Sequence, residues 1–422
     1  MKYEVKDLGS YKLHLIKTDN FKTIRVKVFF NTPIKKEEIT LRNFLATTLV
    51  LTNAKNKTKR DVAIRCEELY ACSGSERVTR FGNYSNLCFM MSALEDKYTE
   101  EGNFEKCLEL LSDMIYNPNV ENEEFAEEYF NIIKSNARLN IESIKEDTSN
   151  YSVIRLLEEL DSNAPFSYRI CGNIDDLNKI TRKSLYKYYQ KMLNNDIMDI
   201  FIIGNIDFKE MEELVQKYFP TKVFKKITMP CRLEEKKKKK TVKVVKEQIE
   251  TNQSKLAIGL RLFGLTDYER NYALTLYSII LGGGTNSKLF RNVREKNSLA
   301  YYIFATPNKL DNLLLIRAGI SQENFDMVIK LIKENLQEMK KGKISEEELE
   351  NAKQMYLSSL EELEESQNDI IDSYYMMDLL GVDDIETRKK KMKEVTIKDV
   401  VSVAKKVGMD TIYLLEGVKD AE

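Results

Sequence analysis

The sequence predicts an α+β protein made twice over, with two similar halves, each a mostly antiparallel sheet carrying helices on it. Near the end of each half a threonine-capped helix runs into an apolar strand: Thr181 leads to Ile200–Gly204, and Thr396 leads to Ile412–Gly417. Near the start of each half an alternating strand, Thr23–Phe30 or Lys255–Phe263, precedes an apolar helical stretch. Thr181 and Thr396 are about 215 residues apart in a chain of 422, so the repeat has the length of a domain and not of a solenoid unit. The expected division is a first domain at 1–228, a Lys-rich linker at 229–240 and a second domain at 241–422.

The elements follow from local pattern. Thr23-Ile-Arg-Val-Lys-Val-Phe-Phe30 alternates in the way of a half-buried strand, and Leu41–Leu51 and Val62–Ala71 read as helices. Thr181 and Thr396 are N-caps with Ser184 and Asp399 three residues on. The stretch Tyr272–Leu281 is an apolar helix. Ile344-Ser-Glu-Glu-Glu-Leu349 combines a capping box, Ser345 with Glu348, and a hydrophobic staple of Ile344 on Leu349. Leu349, Ala352, Tyr356, Leu360 and Leu363 continue it as one apolar stripe, which leaves Glu361, Glu362, Glu364 and Glu365 as a solvated face.

Composition narrows the function. Lys plus Arg (66) balances Asp plus Glu (67), which argues against nucleic acid or an anionic membrane as partner. No apolar run reaches the roughly 20 residues needed to span a bilayer. Met1–Lys17 alternates charge and apolarity with no apolar core, so the expectation is no export signal and a cytoplasmic location. Six scattered cysteines without Cys-x-x-Cys predict reduced, packed thiols. A single histidine, His14, sits in an alternating strand pattern and reads as a packed strand residue.

The most informative stretch is 281–302. Gly282, Gly283 and Gly284 break a helix and open a loop. Leu289, Phe290 and Val293 predict a short amphipathic helix over Ser287–Lys296, and Leu299–Phe304 predicts a strand. Arg294 falls in the last turn of that helix and Tyr301 at the start of the strand, followed by Tyr302. The glycines are not a nucleotide loop, because neither a Walker pattern nor a preceding strand accompanies them.

Leu-Gly-Gly, Ser-x-Leu-Phe, Arg-Glu-Lys and Leu-Ala-Tyr in this order resemble the C-terminal half of the pitrilysin/insulinase/mitochondrial-processing-peptidase family. The resemblance implies homologous halves in a clamshell-forming architecture, with this chain and a partner chain closing around a chamber. Active members carry His-x-x-Glu-His on a helix of the first half, where two His one turn apart bind zinc and the Glu activates water. Here Leu41–Leu51 occupies that place, with Asn43 and Thr47 at the His positions and Ala46 at the Glu position. Amide, methyl and hydroxyl groups cannot do this chemistry, and one histidine cannot supply two ligands anywhere. None of Glu123, Glu124, Glu127, Glu128 or Glu142 is carried over as a distal metal ligand.

The family's Arg-x6-Tyr pair is met by Arg294 and Tyr301. The resemblance implies that Arg294 offers a charged fork to a peptide and that Tyr301 donates to the developing oxyanion. Gly282–Gly284 would face the substrate. The expectation is a zinc-less subunit, inactive alone, whose homologous partner carries His-x-x-Glu-His and the zinc, with a peptide as substrate. The alternative is a scaffold or peptide-binding protein that kept the fold and lost the chemistry; burial of Arg294 and Tyr301 would favour it. Homodimerisation of the isolated chain is also left open, since isologous pairing is common.

Overall fold

The computed structural model describes residues 1–220, 228–237 and 239–418, so Lys238 of the expected linker and residues 221–227 lie outside the described residues. Strands are numbered in chain order: β1 (Lys2–Asp7), β2 (Tyr11–Lys17), β3 (Thr23–Pro33), β4 (Ser73–Phe81), β5 (Tyr84–Leu94), β6 (Val120–Glu121), β7 (Glu124–Phe125), β8 (Ile197–Gly204), β9 (Lys243–Glu250), β10 (Ser254–Leu262), β11 (Ala300–Asn308), β12 (Leu313–Ile320) and β13 (Val407–Val418). One sheet has six strands in the order β1-β2-β8-β3-β5-β4, and a second has five in the order β11-β12-β10-β13-β9. β6 and β7 form a small ladder of their own.

The duplication is written into the topology. β2-β8-β3-β5-β4 and β9-β13-β10-β12-β11 have the same order and the same sense at every step. The first pair is parallel in each, β2 with β8 and β9 with β13, and the remaining pairs are antiparallel. The α+β, two-half expectation therefore holds, with one parallel pair per sheet.

Packing divides the chain into two compact units: Met1–Glu142 with Arg169–Pro230 and Gln367–Ile371, and Ser143–Tyr168 with Cys231–Ser366 and Asp372–Glu422. The expected split into 1–228 and 241–422 runs along the sequence, whereas the packed units exchange segments. Within the second unit the Thr148–Leu160 helix packs Tyr151 and Leu156 against Ala257, Tyr413 and Leu415 of its sheet. The close approach needs a strand residue without a side chain, because a Cβ on Gly259 would lie 2.4 Å from Leu160 Cδ1.

The first unit's core joins β3, β5 and β8 to the helices Ile39–Leu51, Asn103–Tyr116 and Arg182–Asn195. The Ile39–Leu51 helix is anchored by Arg42, whose guanidinium lies 2.7 Å from Asp196 and donates to Phe30 O at 2.6 Å and to the Tyr188 hydroxyl at 3.3 Å. The second core collects β10, β11 and β12 around the helices Leu274–Gly282, Phe325–Lys340 and Glu346–Glu362. The capping boxes at Thr181, Ser345 and Thr396 all form, with Ser184, Glu348 and Asp399 as their return partners. Among the described residues no helix is long and apolar enough to cross a membrane, and none of the six cysteines is in a disulfide, three of them being buried.

Candidate functional site

The 281–302 stretch lies wholly in the second unit. Helix Leu274–Gly282 ends at the glycines, the chain loops through Thr285 and Asn286, and helical structure resumes at Lys288. Leu289 and Val293 are fully buried, as their spacing predicts, and Phe290 is half-buried. The turn carrying Arg294 is not a regular α-helix. Phe290–Glu295 is widened to a π-helix, with Lys296 N–H donating to Arg291 O at 2.9 Å. Such insertions concentrate at functional positions. The turn closes with Ser298 N–H on Arg294 O and Leu299 N–H on Val293 O, both 3.0 Å, and Ser298 takes a left-handed φ of +53°.

This geometry sets Arg294 apart from its neighbours. Lys288 and Arg291 both pair with Glu348, the return residue of the Ser345 capping box, with Lys288 Nζ at 3.0 Å. Burial works against the Glu348 charge, but the Ser345 amide and the two cations outweigh it and hold the carboxyl below its ordinary pKa. Arg294 is exposed, makes no ion pair among the described residues, and lays its guanidinium 4.9 Å from the Phe290 ring centroid. A cation on an aromatic face is oriented without being neutralised.

Tyr301 is presented by a second irregularity. β11 pairs Ala300 with Ile320 and Tyr302 with Gly319, so Tyr301 is the extra residue of a β-bulge on an edge strand. Bulges re-aim side chains, and Tyr301 is 60% exposed. Tyr302 is tied down: its hydroxyl is 3.1 Å from Ser149 Oγ, and its ring lies where a Cβ on Gly319 would come within 2.7 Å. The Arg-x6-Tyr resemblance picked Tyr301 of the two tyrosines, but not the bulge that exposes it.

The three glycines, expected together as a substrate-facing loop, divide in role: a Cβ on Gly283 would be 2.5 Å from Ile279 Cα, so Gly283, like Gly282, serves packing. A Cβ on Gly282 would be 2.6 Å from Ala305 N, so this glycine allows the helix to lie against β11. Gly284, with Thr285, Asn286 and Ser287, instead lines an open cleft of about 440 Å³, whose opposite wall includes Glu347, Asn351 and Met355. Nothing in the sequence marked Met355 or the start of the Glu346–Glu362 helix as facing this loop.

In the first unit the residues expected at the zinc-motif positions are taken into packing. Asn43 Nδ2 donates to Ile170 O at 3.3 Å, and Thr47 Oγ1 donates to Glu76 Oε1 on β4 at 3.0 Å. Ala46 is 1% exposed within the core. This donor set of an amide, a methyl and a hydroxyl does not fit zinc. Of the acids left aside, Glu124 and Glu127 pair with Arg182 at 3.1 and 2.9 Å. His14 is a packed strand residue, stacked on Phe201 at 3.9 Å with Nδ1 2.8 Å from the Tyr3 hydroxyl.

The fold and the two sites describe a peptidase-like chain without the His-x-x-Glu-His zinc motif. Residues 179–356 match the family described as "Peptidase M16 inactive domain". The chain is 29% identical over 417 residues to the "Probable inactive metalloprotease YmfF" of Bacillus subtilis (strain 168), covering 98% of this chain and 97% of that relative. Among solved structures it is similar to a conserved protein from Enterococcus faecalis V583, with a TM-score of 0.90, 27% identity and full coverage of both chains. The fold also matches a peptidase M16 inactive domain from Pseudomonas fluorescens, with a TM-score of 0.80, 16% identity and 99% of each chain covered. The chain is therefore similar along its whole length to insulinase-like M16 peptidases of the inactive kind, and its sequence holds no His-x-x-Glu-His.

Proposed function

We propose that this chain is the non-catalytic subunit of a two-chain, cytoplasmic insulinase-like peptidase. A homologous subunit with His-x-x-Glu-His supplies the zinc and the base, and this chain's own residues hold the peptide. Arg294 takes a carbonyl or carboxylate of the peptide through its charged fork. Tyr301 donates a hydrogen bond to the scissile carbonyl oxygen as it gains negative charge. The Gly284–Ser287 cleft accommodates flanking peptide.

One observation carries the reading. Arg294 and Tyr301 are both exposed, and each is presented by an irregular piece of backbone, a π-turn and a bulge. A protein that kept only its scaffold has no use for two such irregularities beside each other in sequence, and regular packing would have covered both side chains.

The test is to co-express the chain with the His-x-x-Glu-His homologue of the same organism and follow hydrolysis of a quenched fluorescent peptide. The isolated chain should be inactive and the pair active. Arg294→Ala or Tyr301→Phe should lower kcat/KM by roughly 100-fold, the size of a lost oxyanion donor, with the complex still assembled. Full activity of the doubly substituted complex would refute the roles given to these residues.

A further inference from the structure

At the other end of β11 from Tyr301, the turn into β12 carries a cation that no acid answers. Lys309 is half-buried, makes no ion pair among the described residues, and donates from Nζ to Asn271 O at 3.0 Å. A buried ammonium ordinarily sits against a carboxylate. This one has two guanidiniums as neighbours instead: Arg388 on the Ile385–Glu394 helix, and Arg270 in the π-helical turn Glu269–Ala273. Burial, with the repulsion of Arg388 and Arg270 added to it, brings the Lys309 ammonium down from 10.5 to about 8.

Nothing among the described residues relieves this crowding. Arg388 is also half-buried and without an ion pair; its Nη2 donates to Ser373 Oγ at 2.7 Å, and its Nε is buried with no partner. Arg270 is 2% exposed and has Glu235 as its acid, at 3.5 Å. The acids just before Arg388 are committed elsewhere. Asp383 holds Lys391 at 2.7 Å and the Tyr272 hydroxyl, and Asp384 caps its helix through Thr387 N–H at 2.8 Å. Three cations therefore share one acid, and two positive charges stay unbalanced in half-buried positions. An unpaired buried charge is costly, and a like charge beside it adds to the cost. Two uncompensated charges match a dianion better than a single carboxylate, and a phosphate ester carries about −1.5 to −2 at pH 7. A guanidinium fork, an ammonium and a hydroxyl are the donors that phosphates take.

We propose that Lys309 and Arg388, with the Ser373 hydroxyl, bind an oxyanion of the phosphate class in the second unit. Lys309 follows Tyr301 by the length of β11, roughly 26 Å at the rise of a strand. The site therefore stands apart from Arg294 and Tyr301 and is tested without catalysis.

Calorimetric titration of the full chain with sodium phosphate and with glycerol 3-phosphate, each against sodium chloride at matched ionic strength, tests it. Tighter binding of phosphate assigns the site to the free ion, and tighter binding of the ester assigns it to a phosphorylated small molecule. Lys309→Met and Arg388→Met should each weaken binding at least 10-fold. Lys309→Met removes an unpaired charge, so its urea midpoint without phosphate should be no lower than that of the unmodified chain. A second readout needs no variant. Acetic anhydride at pH 8 should acylate Lys309, and 10 mM phosphate should cut that labelling at least 5-fold by peptide mass spectrometry, with exposed Lys341 as the unprotected control. The inference is overturned if neither compound binds at 10 mM, if chloride protects Lys309 as well as phosphate does, or if the Arg388 variant binds like the unmodified chain.

Discussion

Gly282→Ala and Gly284→Ala, two residues apart, should differ sharply in stability. At Gly282 an added methyl would sit 2.6 Å from Ala305 N, 2.9 Å from Ala305 Cβ and 3.1 Å from Phe304 C. Two of these are backbone atoms of β11, held by pairing with β12, and cannot rotate away. The Leu274–Gly282 helix must therefore back off from the strand, and overpacking of this kind costs about 1–3 kcal/mol. The gain from replacing glycine by alanine in a helix, up to about 1 kcal/mol, is small at a final residue. The net loss should be about 2 kcal/mol. At Gly284 the methyl meets only Met355 Cε at 3.3 Å and Sδ at 3.7 Å, the end of a flexible thioether. The change there should stay below about 0.5 kcal/mol. Urea denaturation reads the difference as a lower midpoint at unchanged slope for Gly282→Ala alone. Equal midpoints for the two variants would refute the assignment of Gly282 to packing and Gly284 to the cleft.

Two further predictions concern charge. Asp196→Ala leaves Arg42 buried against Phe30 O and Tyr188 with no counter-charge, which should cost about 3–5 kcal/mol; an unfolding free energy lowered by less than about 1 kcal/mol in urea denaturation would count against it. At Glu269, burial opposes ionisation, but Lys406, the Ser402 hydroxyl and the Thr266 amide hold the carboxyl down from 4.5 to about 2. A depressed carboxylate stabilises the fold fully above its unfolded pKa. That contribution, at most roughly 3 kcal/mol, is lost as pH falls from about 4.5 through 2. Thermal unfolding across that range should show a smaller pH dependence in Glu269→Gln than in the unmodified chain.

The elements fixed by local periodicity and capping were legible in the sequence. Thr181, Ser345 and Thr396 cap as their neighbours require, because a hydroxyl before a helix with an acceptor three residues on satisfies amides that nothing else reaches. The duplication was legible from the recurring capped helix and apolar strand that close each half, although β3, expected to be half-buried, is buried on both faces from Val26 to Asn31. What escaped depends on contacts between distant segments. The transfer of Ser143–Tyr168 to the second unit rests on Gly259 making room for Leu160, which no local pattern announces. The amphipathic spacing of Leu289 and Val293 located the helix but not its π-turn, because one inserted residue leaves the apolar positions facing the core. Likewise, the spacing from Arg294 picked Tyr301 over Tyr302, but the shift of register against Ile320 and Gly319 that sends it outward has no local signal.

The two units have resolved the same ancestry in opposite ways, and this bears on whether the zinc site could be restored. Around Arg294 and Tyr301 the backbone departs from regular geometry, and the side chains stay in solvent. Around Asn43 and Thr47 the opposite has happened: both side chains are bonded into the first unit, and Ala46 lies in its core. Writing His-x-x-Glu-His back by Asn43→His, Ala46→Glu and Thr47→His would then set a carboxylate at a 1% exposed position. A buried, unpaired carboxylate costs several kcal/mol, or is kept protonated and so cannot act as a base. The triple variant should be destabilised by several kcal/mol and should hydrolyse no peptide alone, even if its two imidazoles retain some zinc through dialysis. A stable, active triple variant would mean that position 46 opens to solvent more readily than its packing allows. The defect would then lie in three side chains alone and not in the core that has closed around them.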